Sequence, residues 1–255
     1  MASTAELLDH RLISQGYFFP RPDAPDDPVH VPVDGATLAC AHHPVDGATH
    51  TVVHFHGNGE TVADYLPHFA DHLNAIGLNA FFVEYRGYGQ STSSPGLARI
   101  LDDVAPIVDH LGLPPSQLIP LGRSIGSIYA IHMASLYPDV AGLILDSPIA
   151  DVLERVLLRV SPCDLGTTYN GVKHAVQQHF DHQQKMANYR GPLLILHAQN
   201  DRLVDASHAG HLNAWSASLQ HRLVLFERGG HNDLFAQNKD EYLRHLRLFF
   251  ALHAK

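Results

Sequence analysis

The sequence predicts an α/β fold built on a mostly parallel sheet with helices on both faces. Three observations carry this. Short runs rich in Val, Ile, Leu and Phe alternate with longer segments of helical period, and apolar strands alternating with helices mark a parallel sheet covered on both sides. Gly122-Arg123-Ser124-Ile125-Gly126 joins one apolar run to a helical segment, a strand–turn–helix step. Residues able to do chemistry recur just past the ends of other apolar runs, where open α/β sheets place their sites.

The elements follow in order. Val29–Val33 and residues 37–42 read as an antiparallel start, with Asp34-Gly35 between them as a hairpin turn. The strands expected next are Thr51–Phe55, 79–85, 117–121, 141–145, 192–197 and 222–227. Helical period covers 61–76, 97–111, 125–137, 206–219 and 239–253. About 40 residues separate Ser147 from Pro192, too many for a single crossover helix. They hold amphipathic pieces at 151–160 and 171–189, with Ser161-Pro162-Cys163-Asp164 between. The expectation is one domain over 1–255 with a short helical cap inserted at about 150–190.

Composition narrows the function. The chain has 255 residues, the size of one α/β domain. Lys plus Arg is 17 against 26 for Asp plus Glu, a formal charge of −9, and no basic cluster stands out. Nucleic-acid binding is therefore not expected, nor attraction to an anionic membrane. Met1-Ala2-Ser3-Thr4-Ala5-Glu6 lacks the basic and apolar blocks of a signal peptide. No apolar run approaches the roughly 20 residues that span a bilayer. Two distant cysteines, Cys40 and Cys163, fit a reduced cytoplasmic setting.

The chemistry centres on Ser124. A tight turn between strand and helix exposes its hydroxyl, and glycines at 122 and 126 omit Cβ atoms that would collide there. A serine hydroxyl needs a base, and the base needs an acid to fix its tautomer and offset its charge. Asp201 follows the strand at 192–197 and His231 follows the strand at 222–227, giving the chain order Ser, acid, His. His56-Gly57-Asn58-Gly59 follows Thr51–Phe55, so the backbone N–H groups of Asn58 and Ile125 are candidates for an oxyanion hole. Asp146, at the end of another strand, is an alternative acid, and Asp233 is expected to cap the helix after His231.

Other readings compete. Gly57-Asn58-Gly59-Glu60-Thr61-Val62, with Glu84 further on, resembles a dinucleotide fingerprint, but Val62 stands where the third glycine belongs. His54 and His56 share one side of a strand and raise a metal site, without a third ligand at a compelling spacing. A loop-shaping role for His56 is preferred, so no metal or cofactor is expected. Arg86 is expected to hold its own loop, and Arg123 to point away from the pocket, with contact to an acidic substrate as its alternative.

The Gly-x-Ser-x-Gly turn, His56-Gly57-Asn58-Gly59, Tyr85-Arg86-Gly87-Tyr88-Gly89-Gln90-Ser91 and Gly230-His231-Asn232-Asp233 together resemble the α/β-hydrolase superfamily. Within it they are similar to the Bem46 branch, which includes the ABHD13 and ABHD17 proteins. The resemblance covers roughly residues 52–250 and implies the α/β-hydrolase fold, with Ser124 as nucleophile, Asp201 as acid and His231 as base. It implies hydrolysis of carboxylic esters or thioesters through an acyl-enzyme, on a small-molecule or acyl ester substrate. ABHD17 members remove palmitoyl groups from protein cysteines with the help of a cysteine-rich N-terminal segment, which this sequence does not display. The alternatives are a serine peptidase or amidase and a catalytically silent binding protein on the same fold. The oligomeric state has no signature in the sequence.

Overall fold

The protein was analysed as a computed structural model that describes residues 3–66 and 68–253. Met1 and Ala2 of the N-terminal reading, and Pro67 within the helix expected over 61–76, lie outside the described residues.

Eight strands among the described residues form one sheet. They are β1 (Val29–Val33), β2 (Ala36–His43), β3 (Thr51–Phe55), β4 (Asn79–Val83), β5 (Leu118–Arg123), β6 (Leu143–Asp146), β7 (Leu193–Ala198) and β8 (His221–Phe226). Their order across the sheet is β1-β2-β4-β3-β5-β6-β7-β8. β1 pairs antiparallel with β2, and β2 antiparallel with β4. Every later pairing is parallel.

Both faces of the central strands are buried, which is why these strands read as unbroken apolar runs. On β7, Leu193 and Ile195 join one core with Ile128 and Met186, while Leu194 and Leu196 join the other with Phe69 and Leu246. The period-two alternation of side chains sends neighbours to opposite cores.

The helices are α1 (Thr4–Leu8), α2 (Arg11–Tyr17), α3 (His68–Asn74), α4 (Arg99–Asp102), α5 (Val104–Leu111), α6 (Gly126–Leu136), α7 (Val152–Leu157), α8 (Tyr169–Phe180), α9 (His182–Asn188), α10 (Ser207–Trp215) and α11 (Leu234–His253). Several differ from expectation. The helix expected over 61–76 is a single 3-10 turn, Val62–Tyr65, followed by α3; Leu66 between them is extended at φ −101°, ψ 135°. Leu66 precedes a proline, and that position disfavours the α region. The helix expected over 97–111 divides into α4 and α5. Pro106, in the first turn of α5, has no N–H to offer the carbonyl of Asp102. The piece at 171–189 divides into α8 and α9 at Asp181, whose carboxylate accepts from the Gln184 N–H and caps α9. α10 stops at Trp215 because Ser216 is extended. α11 starts earlier than expected, at Leu234, and kinks at Asn238, where φ is −130°.

Sequence reasoning missed α1 and α2. The signal was present: Ser3 and Glu6 form a capping box, the Glu6 N–H donating to Ser3 Oγ and the Ser3 N–H to Glu6 Oε2. No helix among the described residues is long and apolar enough to cross a membrane.

Candidate active site

The elbow is built as its glycines require. Ser124 has φ 53°, a left-handed conformation unusual for a residue with a side chain. A Cβ on Gly122 would strike the backbone of Gly126 and Ser127, and one on Gly126 would strike the Phe55 carbonyl of β3. The turn is tied to the sheet by the Ser124 N–H, which donates to the Asp146 carbonyl at 2.9 Å. It is tied to α6 by the Ser127 hydroxyl, which donates to the Ser124 carbonyl at 2.6 Å. The same Ser127 oxygen accepts from the Ile149 N–H. Sequence reasoning gave Ser127 no role.

Ser124, Asp201 and His231 come together. His231 Nε2 lies 2.8 Å from Ser124 Oγ, and His231 Nδ1 lies 2.7 Å from Asp201 Oδ2. Those partners fix the tautomer: Nδ1–H donates to the carboxylate, leaving Nε2 to accept from the hydroxyl. Asp201 Oδ1 accepts from the Leu203 and Val204 N–H groups at 2.8 and 2.9 Å. Burial opposes ionisation of Asp201, but His231 and these amides outweigh it and hold its pKa below the ordinary value of 3.8.

Asp146 is not the partner of His231. Its carboxylate accepts from the Ser147 and Tyr242 hydroxyls instead. Asp233 does not cap α11 with its side chain. The Oδ1 atom turns back to accept from the Gly230 N–H at 2.7 Å and braces the loop that carries His231.

Asn58 and Ile125 stand at the same cavity as Ser124 and His231. Register explains this. Phe55 at the end of β3 pairs with Val83 of β4 and Gly122 of β5, so the 56–59 loop emerges beside the elbow. Tyrosines hold that loop by its carbonyls: Tyr85 Oη donates to His56 O at 2.7 Å and Tyr88 Oη to Asn58 O at 2.5 Å. The Phe19 N–H also reaches Asn58 O. With the carbonyls engaged, the Asn58 and Ile125 N–H groups donate to no protein acceptor among the described residues.

His56 shapes this loop. Its Nε2 donates to Glu84 Oε1 and its Nδ1 to Gly57 O, each at 2.7 Å. Burial lowers its proton affinity, yet the Glu84 carboxylate more than compensates and raises its pKa above 6.5. Glu84 is thereby committed inside the fold, its Oε2 accepting from the Val62 N–H. His54 packs among Tyr65, Phe69 and Phe82.

Arg123 departs from expectation, since it faces the cavity. Its Nη1 pairs with Glu60 Oε1 at 2.5 Å and its Nη2 donates to the His231 carbonyl at 2.8 Å. Glu60 Oε2 accepts from the Gly57 N–H and the Tyr65 hydroxyl. One guanidinium therefore joins the loop of Asn58 to the loop of His231. Arg86 does hold its own loop, by a two-pronged bond to Asp103 at 2.6 and 2.8 Å.

The cavity has a volume of about 440 Å³. Its walls come from the elbow, the loops after β3, β7 and β8, the end of α2, and α7.

Comparison with known proteins agrees with the fold. A protein-family model described as Serine aminopeptidase, S33 matches residues 46–166. The chain is 26% identical over 212 residues to alpha/beta hydrolase domain-containing protein 17B of Xenopus laevis, covering 77% of this chain and 64% of that protein. It is 28% identical over 202 residues to the human 17C protein, covering 77% and 56%. The chain thus spans roughly 60% of the length of these curated relatives. Among solved structures, a Pyrococcus furiosus esterase superposes with a TM-score of 0.73 at 17% identity, covering 92% of this chain and 99% of that one. Est1E from Butyrivibrio proteoclasticus, solved with ferulic acid bound, gives 0.73 at 17% identity, covering 89% and 100%.

Proposed function

We propose that this chain, which has the α/β-hydrolase fold and resembles the ABHD17 proteins, is a serine hydrolase that cleaves carboxylic ester or thioester bonds. The observation that carries the proposal is the continuous relay from Asp201 through His231 to Ser124, at 2.7 and 2.8 Å. His231 takes the proton from Ser124 as the oxygen attacks the acyl carbon. The Asn58 and Ile125 N–H groups hold the oxyanion, where one donor is worth about 2.7–4 kcal/mol to the transition state. His231 then gives its proton to the departing alkoxide or thiolate as the acyl–oxygen or acyl–sulfur bond breaks. Water, deprotonated by His231, attacks the acyl-enzyme and releases the acid and free Ser124.

In this reading α7, α8 and α9, which lie between β6 and β7, are a cap on a single domain, and the small-molecule or acyl ester substrate sits beneath it. No cofactor takes part. A reducing, cytoplasmic setting fits Cys40 and Cys163, both free thiols.

A fluorophosphonate probe is expected to label the protein, and Ser124→Ala to abolish labelling. Labelling that persists in the variant would remove Ser124 from its role, and no labelling of the parent protein would favour a silent binding protein. The matched family's description makes amide cleavage the second reading. Aminoacyl amides assayed beside acyl esters and thioesters decide between them by relative kcat/KM.

A further inference from the structure

Besides Arg123, which ties two loops together, the cavity that holds Ser124 carries two further arginines. Arg155 lies in α7 and Arg159 four residues on, just past its end, and both line the cavity. Arg155 is partly buried, and its Nε is inaccessible to water and has no hydrogen-bond partner. Arg159 stacks over the ring of Tyr17, its guanidinium carbon 5.4 Å from the centroid. Tyr17 lines the same cavity and is 6% exposed, and its hydroxyl has no partner in hydrogen-bond geometry. Burial pushes that hydroxyl's pKa up, and the charges of Arg155 and Arg159 pull against it.

The carboxylates within reach are engaged. Glu60 on the cavity wall pairs with Arg123, Asp201 holds His231, and Glu154, next to Arg155, sits 3.4 Å from His208. Neither Arg155 nor Arg159 forms an ion pair among the described residues. A chain of formal charge −9 thus carries two guanidinium groups without an ion-pair partner among the described residues at the wall of its reactive cavity. Buried donors without acceptors are costly, and a ligand that supplies the acceptor removes the cost. Guanidinium groups match the planar fork of a carboxylate and the oxygens of a phosphate.

Building on the serine-hydrolase reading, we propose that Arg155, Arg159 and the Tyr17 hydroxyl form an anion subsite, so that the preferred substrate is an ester bearing a carboxylate or phosphate group. The subsite draws anionic substrates toward the cavity and sets specificity between esters of equal length.

The test compares kcat/KM for matched pairs. The mono-4-nitrophenyl ester of glutarate is set against 4-nitrophenyl pentanoate, and 1-butyryl-glycerol 3-phosphate against 1-butyryl-glycerol. The first pair reports a carboxylate on the acyl side, the second a phosphate on the alcohol side. The expected anionic-to-neutral ratio in at least one pair is about tenfold or more, the worth of one charged hydrogen bond. That ratio is expected to fall toward one in the double variant Arg155→Gln/Arg159→Gln and to be partly kept in Arg155→Lys. Lys173→Gln, which removes an exposed charge on α8, is expected to leave it unchanged. Ratios near one in both pairs, or ratios the double variant does not alter, overturn the subsite while ester turnover and probe labelling leave the hydrolase reading intact. If no ester is turned over and no probe reacts, that reading fails, and calorimetric titration with glutarate and with inorganic phosphate decides the subsite separately. Binding lost in the double variant upholds it; no binding, or binding the double variant retains, overturns it.

Discussion

Asp201 shows how much one side chain depends on those around it. Its carboxylate is pinned by two backbone amides on one oxygen and by His231 on the other. Asp201→Asn keeps the shape but offers Nδ1 a competing donor, and if the triad acts as proposed kcat is expected to fall about 10⁴-fold with an intact fold. Because the pKa of Asp201 is lowered on folding, its contribution to stability is present above the ordinary carboxylate value and is lost as pH falls through the folded value. Tyr88 acts at one remove, by orienting Asn58. If Asn58 is an oxyanion donor as proposed, Tyr88→Phe is expected to lower kcat roughly tenfold to a hundredfold with a smaller effect on KM, since a slight displacement of that donor weakens only the transition state. These partners were not legible in the sequence. Glu60, Glu84, Tyr85 and Tyr88 lie far from Ser124 along the chain, and each reaches the site through a hydrogen bond that spacing alone does not specify.

At the scale of elements, the elbow and the strand ends read true because their constraints are local. A glycine is required at 122 by crowding against Gly126 and Ser127, four and five residues on, and at 126 by the Phe55 and His56 carbonyls at the end of β3. Gly126→Ala is expected to cost about 3 kcal/mol or more, read from urea unfolding, because the obstruction is backbone and cannot rotate away. The loop after β4 is held by Arg86 and Asp103, both almost fully buried. Arg86→Met would strand the Asp103 charge and is expected to cost about 3–5 kcal/mol in the same measurement. Helix boundaries were less legible than strands. Helical period persisted across Leu66, Asp103 and Asp181, while a following proline, a missing N–H and a competing cap decided where each helix broke.

At the scale of the whole molecule, charge buried between elements makes stability depend on pH. Lys185 of α9 donates to the His179 carbonyl and contacts His132 of α6. Burial lowers its pKa from 10.5 to about 8. The unfolded chain therefore binds this proton more tightly, and stability from this group rises as pH climbs from about 8 toward 10.5. The whole displacement is worth at most about 3 kcal/mol, reduced by solvent screening at a partly exposed head. Thermal unfolding of the protein and of Lys185→Met across pH 7–10 checks this: the parent protein's Tm is expected to gain on the variant's as pH rises. By itself the sequence determined the α/β class, the strand order along the chain and the residue types at three strand ends, because those follow from period-two and helical patterning and from turns that tolerate only glycine. Only the tertiary structure decided which carboxylate meets His231, that Arg123 turns inward to join two loops, and that α2 and α7 bring Tyr17, Arg155 and Arg159 to the cavity. Those outcomes depend on how the sheet's register and the packing of distant helices bring side chains together, and a one-dimensional pattern holds no distance between them.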